Sequence, residues 1–487
     1  MALIESASLV KAYAQARVSR DARFDGVFFT AVKTTGIYCR SICPANTPLE
    51  KNVEYYDSAI SAANAGFRPC LRCRPDSAPQ SNPWLGTQTT LQRALDLIHA
   101  GALQTASLEN LAERLGITSR YLRRLFEQKL GVSPKQYSIY QQCLFAKQLL
   151  HETDMPVIDI AFSSGFSSVR QFNTAIKSRL KLTPTQIRRN HKEKSHKEKQ
   201  QTADNTMTLV LYFRPPYAWS KMLDFLSQRV INGLEWTDEY CYGRVFEYEN
   251  AKGFFTIGLG KKPHSMQVSI MVDDISKLYF IVQTIRSLFD LDAPIHIIDE
   301  QLQDEFGDVI EYLPGLRLPG VWSAFEAGVR AILGQQVSVQ QAHKLVTVLV
   351  ESLGEPIDFS SNGLANKATR VFPKPEKLAQ SELDFFRMPQ ARKDTLRRFA
   401  QYFIDHPNRD NDSAAIDEWL SLKGIGPWTV NYVKLRAVKD PDVWLCGDAG
   451  VNNALKKIKQ THPDHIVNVD AASPWRSYLV FHLWDQL

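Results

Sequence analysis

Apolar residues change their period along the chain, and the changes mark its parts. Over residues 107–129 they recur at helical spacing on both sides of Gly116. This predicts a helix, a glycine turn and a second helix, with Ser107 and Ser119 as caps and Leu122, Leu125 and Phe126 as a buried stripe. A second unit of the same plan spans 157–177, turning at Gly165 with Ser167 or Ser168 as cap. Between the two, residues 133–152 read as one helix about 30 Å long. The period then shortens. Leu209-Val-Leu-Tyr-Phe213 and Val268-Ser-Ile-Met-Val272 lie among turn glycines, so 207–292 reads as mostly strand. From Ile298 onward helical spacing returns, punctuated by Gly and Pro. Residues 187–206 hold almost no apolar side chain and predict a solvated linker with a helical start. A weaker boundary falls at 75–83, rich in Pro and Ser.

Charge sharpens this division. The 487 residues carry a formal net charge of +6. Residues 1–206 hold 28 Lys and Arg against 17 Asp and Glu, or +11, and residues 207–487 hold 30 against 35, or −5. The first half has the long-range attraction for a polyanion; the second would need locally placed donors. No apolar run approaches the ~18–20 residues of a membrane span, so no membrane association is expected.

Four of the seven cysteines fall in the first fifth of the chain, as Cys39-x3-Cys43 and Cys70-x2-Cys73. Two short pairs suit one tetrahedral zinc ion, each pair reaching the metal from a tight turn. A disulfide framework is disfavoured, because the start of the chain lacks the charged and apolar regions of a secretory signal; a reducing cytoplasm is expected. Spacing alone leaves open whether the zinc is purely structural or activates a thiolate.

Two helix-turn-helix units held about one duplex turn apart suit successive major grooves. Arg120, Arg123 and Arg124 lie off the buried stripe of the first unit, and Arg170 opens the recognition helix of the second. The segment resembles the AraC family of transcriptional regulators, most clearly in Ala161-Phe-Ser-Ser-Gly165-Phe-Ser-Ser-Val-Arg170-Gln-Phe172. Ahead of it, Phe28-Phe-Thr-Ala-Val-Lys-Thr-Thr-Gly-Ile-Tyr-Cys39-Arg40 and Gly66-Phe-Arg-Pro-Cys70-Leu-Arg-Cys73 resemble the sensor of Ada-type methylphosphotriester methyltransferases. The resemblance covers about residues 1–190. It implies that Cys39 accepts the methyl group, that Cys43, Cys70 and Cys73 complete the zinc site, and that Thr35 and Arg68 contact phosphate. Two further basic positions of the family are Pro44 and Asn46 here. The Pro-Cys-His-Arg motif of an O6-alkylguanine alkyltransferase is absent from the sequence.

In the second half, Leu422-Lys-Gly424-Ile-Gly426-Pro-Trp428-Thr-Val-Asn-Tyr432 predicts a hairpin between helices whose amides face a phosphate. Asp448 follows among small residues, placed to cap a helix, to act in catalysis, or both. With 324–338 and 474–484, these motifs resemble helix-hairpin-helix DNA glycosylases of the AlkA type. That resemblance implies Asp448 as catalytic carboxylate, Trp428, Tyr432 and Trp484 as base pocket, Gly424 and Gly426 as the DNA-contacting hairpin, and Gln336 at a position often held by a wedging Leu. Trp428 stands where lyase-active members carry Lys, which implies a monofunctional hydrolase without cofactor.

The expected architecture is multidomain α+β. It comprises a small zinc and methyl-acceptor domain (1–80), an AraC-type double helix-turn-helix (81–190), a linker (191–206), a TBP-like α+β sheet domain (207–292) and an all-α helix-hairpin-helix glycosylase domain (293–487). The expected function joins methylphosphotriester sensing and transcription activation to excision of alkylated bases such as 3-methyladenine. The alternative is a regulator whose glycosylase-like half is catalytically silent. Expected partners are one Zn2+, double-stranded promoter and damaged DNA, and RNA polymerase, with the protein acting as a cytoplasmic monomer.

Overall fold

The computed structural model describes residues 4, 6–21, 24–57, 59–70, 72–73, 89–192, 206–359, 370–406, 416–463 and 467–487. The boundary expected at 75–83 and all but the ends of the expected linker lie outside these residues.

The cysteine-bearing part is a four-stranded sheet of β1 (Phe29–Val32), β2 (Ile37–Cys39), β3 (Val53–Tyr56) and β4 (Arg68–Pro69), in the order β3-β1-β2-β4, with helices α1 (Ala7–Ser19) and α2 (Ala59–Asn64). β2 and β4 run parallel, with Ile37 opposite Arg68 and Tyr38 opposite Pro69. That register brings Cys39 beside Cys70, and the Cys70 amide donates to the Tyr38 carbonyl at 2.9 Å.

Eight helices follow: α3 (Thr89–His99), α4 (Ala102–Thr105), α5 (Leu108–Arg114), α6 (Ser119–Leu130), α7 (Pro134–Glu152), α8 (Val157–Ser163), α9 (Val169–Leu180) and α10 (Pro184–Lys192). Ser107 caps α5, accepting from the Asn110 amide, and Ser168 caps α9, accepting from the Gln171 amide. The cap of α6 is Thr118, one residue earlier than expected: its hydroxyl accepts from the Tyr121 amide, and Ser119 is already helical. Of the expected stripe, Leu122 and Phe126 are fully buried and Leu125, at its edge, is half-buried. α7 opens on a reciprocal Ser133–Gln136 cap with Pro134 at its first position.

The next part is an antiparallel sheet of β5 (Met207–Tyr212), β6 (Glu235–Thr237), β7 (Cys241–Tyr248), β8 (Ala251–Leu259) and β9 (Ser265–Val272), in the order β5-β9-β8-β7-β6. The strand reading of 207–292 missed two helices, α11 (Trp219–Ser227) and α12 (Leu278–Leu288). α12 is rich in β-branched and aromatic residues, whose local preference is for strand; packing against the sheet overrides it. Helices α13 (Ile295–Phe306), α14 (Ala324–Gly334), α15 (Val339–Leu353), α16 (Pro375–Gln380) and α17 (Gln390–Asp405) lead to three more at Pro427–Val433, Ala449–Thr461 and Arg476–Asp485. A buried ion network of Glu235 and Arg244 on the sheet with Glu326 and Arg330 on α14 fastens sheet to helices.

The two halves that the polar linker joins share one hydrophobic core. It runs without a break from Leu95, Phe126 and Tyr140 to Leu209, Ile270 and Ile285. α7 lies along β5, an edge strand, and its side chains finish that edge. Gln148 Nε2 donates to the Val210 carbonyl (3.2 Å), and the Val210 amide donates to Glu152 Oε2 (3.1 Å). The hydroxyl of Tyr38 in the cysteine part meets that of Tyr140 on α7. At the α3–α4 turn, Gly101 (φ +88°) packs so closely on Phe280 of α12 that a Cβ would come within 2.1 Å of the ring.

Candidate metal centre and candidate active site

The cysteine centre is built by backbone geometry. The strand pair sets Cys39 and Cys70 side by side, and a turn closed by the Cys43 amide on the Arg40 carbonyl (3.2 Å) brings Cys43 round. The Arg40 amide donates to Cys73 Sγ and the Arg72 amide to Cys70 Sγ, each at 3.4 Å. All four sulfurs lie within 4.8 Å of one another. Tetrahedral zinc with bonds of ~2.3 Å spaces its sulfurs by roughly 3.8 Å, so both the donor set and the spacing fit that ion. Crowding splits the thiols. Hydrogen bonding with Cys43 pushes Cys39 up and burial pushes Cys73 up, while hydrogen bonds centred on Cys39 pull Cys43 and Cys70 down. Four ionised sulfurs at this distance require a cation between them. The four also differ in access: Cys70 and Cys73 are buried, whereas Cys39 and Cys43 are partly exposed.

Thr35 is exposed at the turn between β1 and β2, its amide donating to the Val32 carbonyl at 3.2 Å. Arg68 stands across from Ile37 on β4, with Nη1 buried and without a hydrogen-bond acceptor among the described residues. Both therefore flank the strand that ends in Cys39. Pro44 and Asn46 are exposed. Arg120, Arg123 and Arg124 are exposed on α6, where Arg123 lies 3.6 Å from Glu109 and Arg124 rests over the Tyr121 ring. Arg170 is exposed on α9, along with Gln171, Asn173, Thr174 and Lys177. α9 also packs beside β4, so the second recognition helix and the cysteine centre are neighbours.

The second site gathers at Asp448. It caps the helix Ala449–Thr461, with Oδ1 accepting from the Val451 amide at 3.0 Å. Two indoles complete its setting: Trp484 Nε1 donates to Oδ1 at 2.9 Å and Trp428 Nε1 to Oδ2 at 3.1 Å. Capping and a fixed, partly exposed carboxylate thus coexist. The Trp428 ring stacks on Tyr432 at 5.3 Å between centroids. Gly450 permits the arrangement, since a Cβ there would lie 2.9 Å from Trp484 Cδ1. The hairpin before Trp428 has two different glycines. Gly424 (φ +97°) lies against Thr395, where a Cβ would come within 2.1 Å of Oγ1; Gly426, among the described residues, has nothing within 4 Å of its missing Cβ. Gln335 Nε2 ties the α14–α15 turn to the hairpin through the Gly424 carbonyl (3.1 Å), leaving Gln336 exposed at the turn in the left-handed region (φ 59°).

Two residues of this aromatic cluster escaped sequence reasoning. Phe225 on α11 stacks on Trp484 (6.3 Å, 16°), and Arg436 reaches both the Phe225 face and the Tyr432 hydroxyl (3.0 Å). Phe225 reaches the aromatic cluster from the sheet part, more than two hundred residues before its ring partner, and no motif spacing links them. The one available signal was the aromatic-rich start of the second half.

The fold and these two sites define an Ada-like regulator fused to an AlkA-type glycosylase. Residues 12–76 match the metal binding domain of Ada, 111–190 a helix-turn-helix domain and 208–323 the AlkA N-terminal domain. A probable bifunctional transcriptional activator/DNA repair enzyme AlkA of Mycobacterium tuberculosis is 33% identical over 483 residues, covering 96% of this chain and 95% of the relative. The chain belongs to this family of bifunctional activator and repair proteins. Each half also has separate relatives. DNA-3-methyladenine glycosylase 2 of Escherichia coli is 30% identical over 56% of this chain and 96% of its own length. The bifunctional transcriptional activator/DNA repair enzyme Ada of the same organism is 38% identical over 28% of this chain and 36% of its own length. Among the described residues, no helix is long and apolar enough to cross a membrane.

Proposed function

We propose that the chain senses alkylation damage through Cys39, activates transcription in response, and excises alkylated bases at Asp448. The observation that carries the excision step is the carboxylate held by two indole N–H groups and a helix N-terminus, beside a cluster of aromatic rings. The domains proposed are those of the sequence reading, with boundaries near residues 80, 190, 207 and 292.

In the first activity, Cys39 Sγ attacks the methyl carbon of a DNA methylphosphotriester. The sulfur–carbon bond forms, the carbon–oxygen bond breaks, and the phosphodiester leaves with the electron pair and a negative charge. Zinc, when bound, keeps four sulfurs ionised at neutral pH. The centre then carries formally about −2, which repels ordinary DNA backbone but not a neutral triester. Methylation cuts that to about −1 and turns a thiolate into a thioether, so the protein binds its operator more tightly through α6 and α9. Thr35 and Arg68 grip the backbone beside Cys39.

In the second activity, the alkylated base turns out of the duplex into the pocket of Phe225, Trp428, Tyr432 and Trp484, whose ring faces attract a cationic base. Gln336, exposed on its strained turn, fills the gap, and the Gly424–Gly426 hairpin holds a phosphate. The base leaves with the glycosidic electron pair, Asp448 stabilises the oxocarbenium-like sugar, and water adds to the sugar carbon with loss of a proton. Trp428 at the lyase position makes the enzyme monofunctional. Double-stranded DNA is the partner of both halves; the protein acts as a cytoplasmic monomer and contacts RNA polymerase at the promoter. The test has two arms. Wild-type protein should release 3-methyladenine from alkylated DNA and Asp448→Asn should release it at least about a hundredfold more slowly; peptide mass spectrometry should find a methyl group on Cys39 after exposure to methylphosphotriester DNA. Undiminished release by Asp448→Asn, or an unmodified Cys39, removes the corresponding half of the proposal.

A further inference from the structure

Where the cysteine part meets the sheet of the second half, three charged side chains are each 1% exposed: Asp25, Arg40 and Arg214. Arg40 directly follows Cys39. Its amide donates to Cys73 Sγ and its Nη1 to the Cys73 carbonyl (3.2 Å), while Nε donates to Asp25 Oδ1 (2.7 Å) and Nη2 pairs with Oδ2. Its guanidinium lies 4.5 Å from the centroid of the Tyr212 ring, at the end of β5. Asp25 in turn accepts, at its carbonyl, from Arg214 Nε of the second half (3.1 Å). The contacts therefore run from Cys73 through Arg40 and Asp25 to Arg214. They continue toward the base pocket: Arg317 holds the carbonyls of Arg214 and Pro216, three residues before the start of α11, which carries Phe225.

The formal charges give this chain of contacts a direction. With zinc and four thiolates the centre carries about −2; Asp25 and Arg40 cancel, so the cysteine part presents about −2 to the buried cation Arg214. The pair Arg286–Asp292 beside Arg214 is itself neutral and leaves that sign unchanged. Burial first, and then the neighbouring cations Arg317 and Arg286, pull Arg214 down to about 10 against the help of Asp292 and Asp25, so this crowded cation depends on the anions around it. We propose that this buried contact couples the two activities: methyl transfer to Cys39 halves the charge that holds Arg214 and loosens the cysteine part from β5 and α11. The inference rests on Cys39 being the methyl acceptor.

Hydrogen exchange of the zinc-loaded full chain tests it, before and after methylation by methylphosphotriester DNA and removal of that DNA, with Cys39 occupancy read by mass. Amides of 206–227 should exchange about three- to tenfold faster in the methylated protein. Arg214→Gln should show the faster pattern in either state. Equal exchange in fully methylated and unmethylated protein overturns the coupling. If Cys39 takes up no methyl group, the sensing proposal is what fails, and Cys39→Ala decides the coupling instead. Its three thiolates, with zinc content checked by atomic absorption, carry the same reduced charge, and exchange like that of wild type overturns the inference.

Discussion

The cysteine centre and the Asp448 pocket are both proposed to act on alkylated DNA, yet they are built on opposite electrostatic plans. The centre concentrates negative charge and suits a target that has lost its own. The pocket offers one carboxylate and electron-rich rings and suits a target that has gained a positive charge. Their supports differ too. The sulfurs are placed by a strand register and two turns within 35 residues, and need a metal to coexist. The carboxylate is placed by packing: its donors stand 20 and 36 residues away, and a ring stacked on one of them comes from the sheet part. A consumable site can rest on local geometry plus an ion. A site that turns over needs a frame that stays unchanged after each cycle.

That contrast predicts separable losses. Asp448→Asn keeps the shape of the cap but removes the charge, and should lower 3-methyladenine release by about 10²–10³-fold while leaving methyl uptake by Cys39 stoichiometric. Parallel assays of both activities on one preparation check this; loss of both together would break the distinction between the sites.

Acid should weaken both halves of the chain through buried histidines. Burial lowers His99, between the helix-turn-helix part and the sheet, from 6.5 to about 4, and lowers His482, in the last helix, to about 3. The unfolded chain binds these protons first, so the contribution to stability is complete above pH 6.5. It is lost as pH falls toward those lower values, by about 2 kcal/mol per residue at pH 5. Urea unfolding at pH 7.5 and 5 measures it. His99→Gln and His482→Gln should each flatten the slope, and an unchanged slope in the double variant would refute the assignment.

Trp484→Phe keeps a ring against Phe225 but removes one donor to Asp448. It should reduce kcat about tenfold with KM nearly constant. A rise in KM alone would make Trp484 a base-binding wall and nothing more. The smallest effect is expected at Thr118→Ala, which deletes the cap of α6. It should cost about 1 kcal/mol and weaken operator binding about fivefold in a mobility-shift titration, without touching base release.

What could be read from the sequence followed the same line between local and distant. Cys39, Cys43, Cys70 and Cys73 were legible because their spacing is itself the geometry. The hairpin and Asp448 were legible as motifs. Phe225 was not, because its role exists only once two parts of the fold meet. The shared core was hidden as well: a charged linker suggests independent halves, and nothing in its composition reports what its flanks bury. α7 did carry a hint. Its buried residues, from Tyr137 and Tyr140 through Cys143, Phe145 and Leu149, go round the helix instead of keeping to one face. A helix apolar on every side must be covered on every side. The cap of α6 fell one residue from its expected place because Thr118 and Ser119 are equally able to serve, and only backbone geometry at the turn decides.

The contact of Gln148 and Glu152 with Val210 has a consequence for any attempt to divide the molecule. β5 is the last strand on its side, and an uncovered outer strand offers its amides and carbonyls to any other strand that drifts past. In the whole chain a helix from the other half occupies that border. A fragment beginning at Met207 would carry the border bare, inviting strand-to-strand association between copies, so a soluble free-standing version of this half needs a substitute cover or a charged residue turned toward the gap.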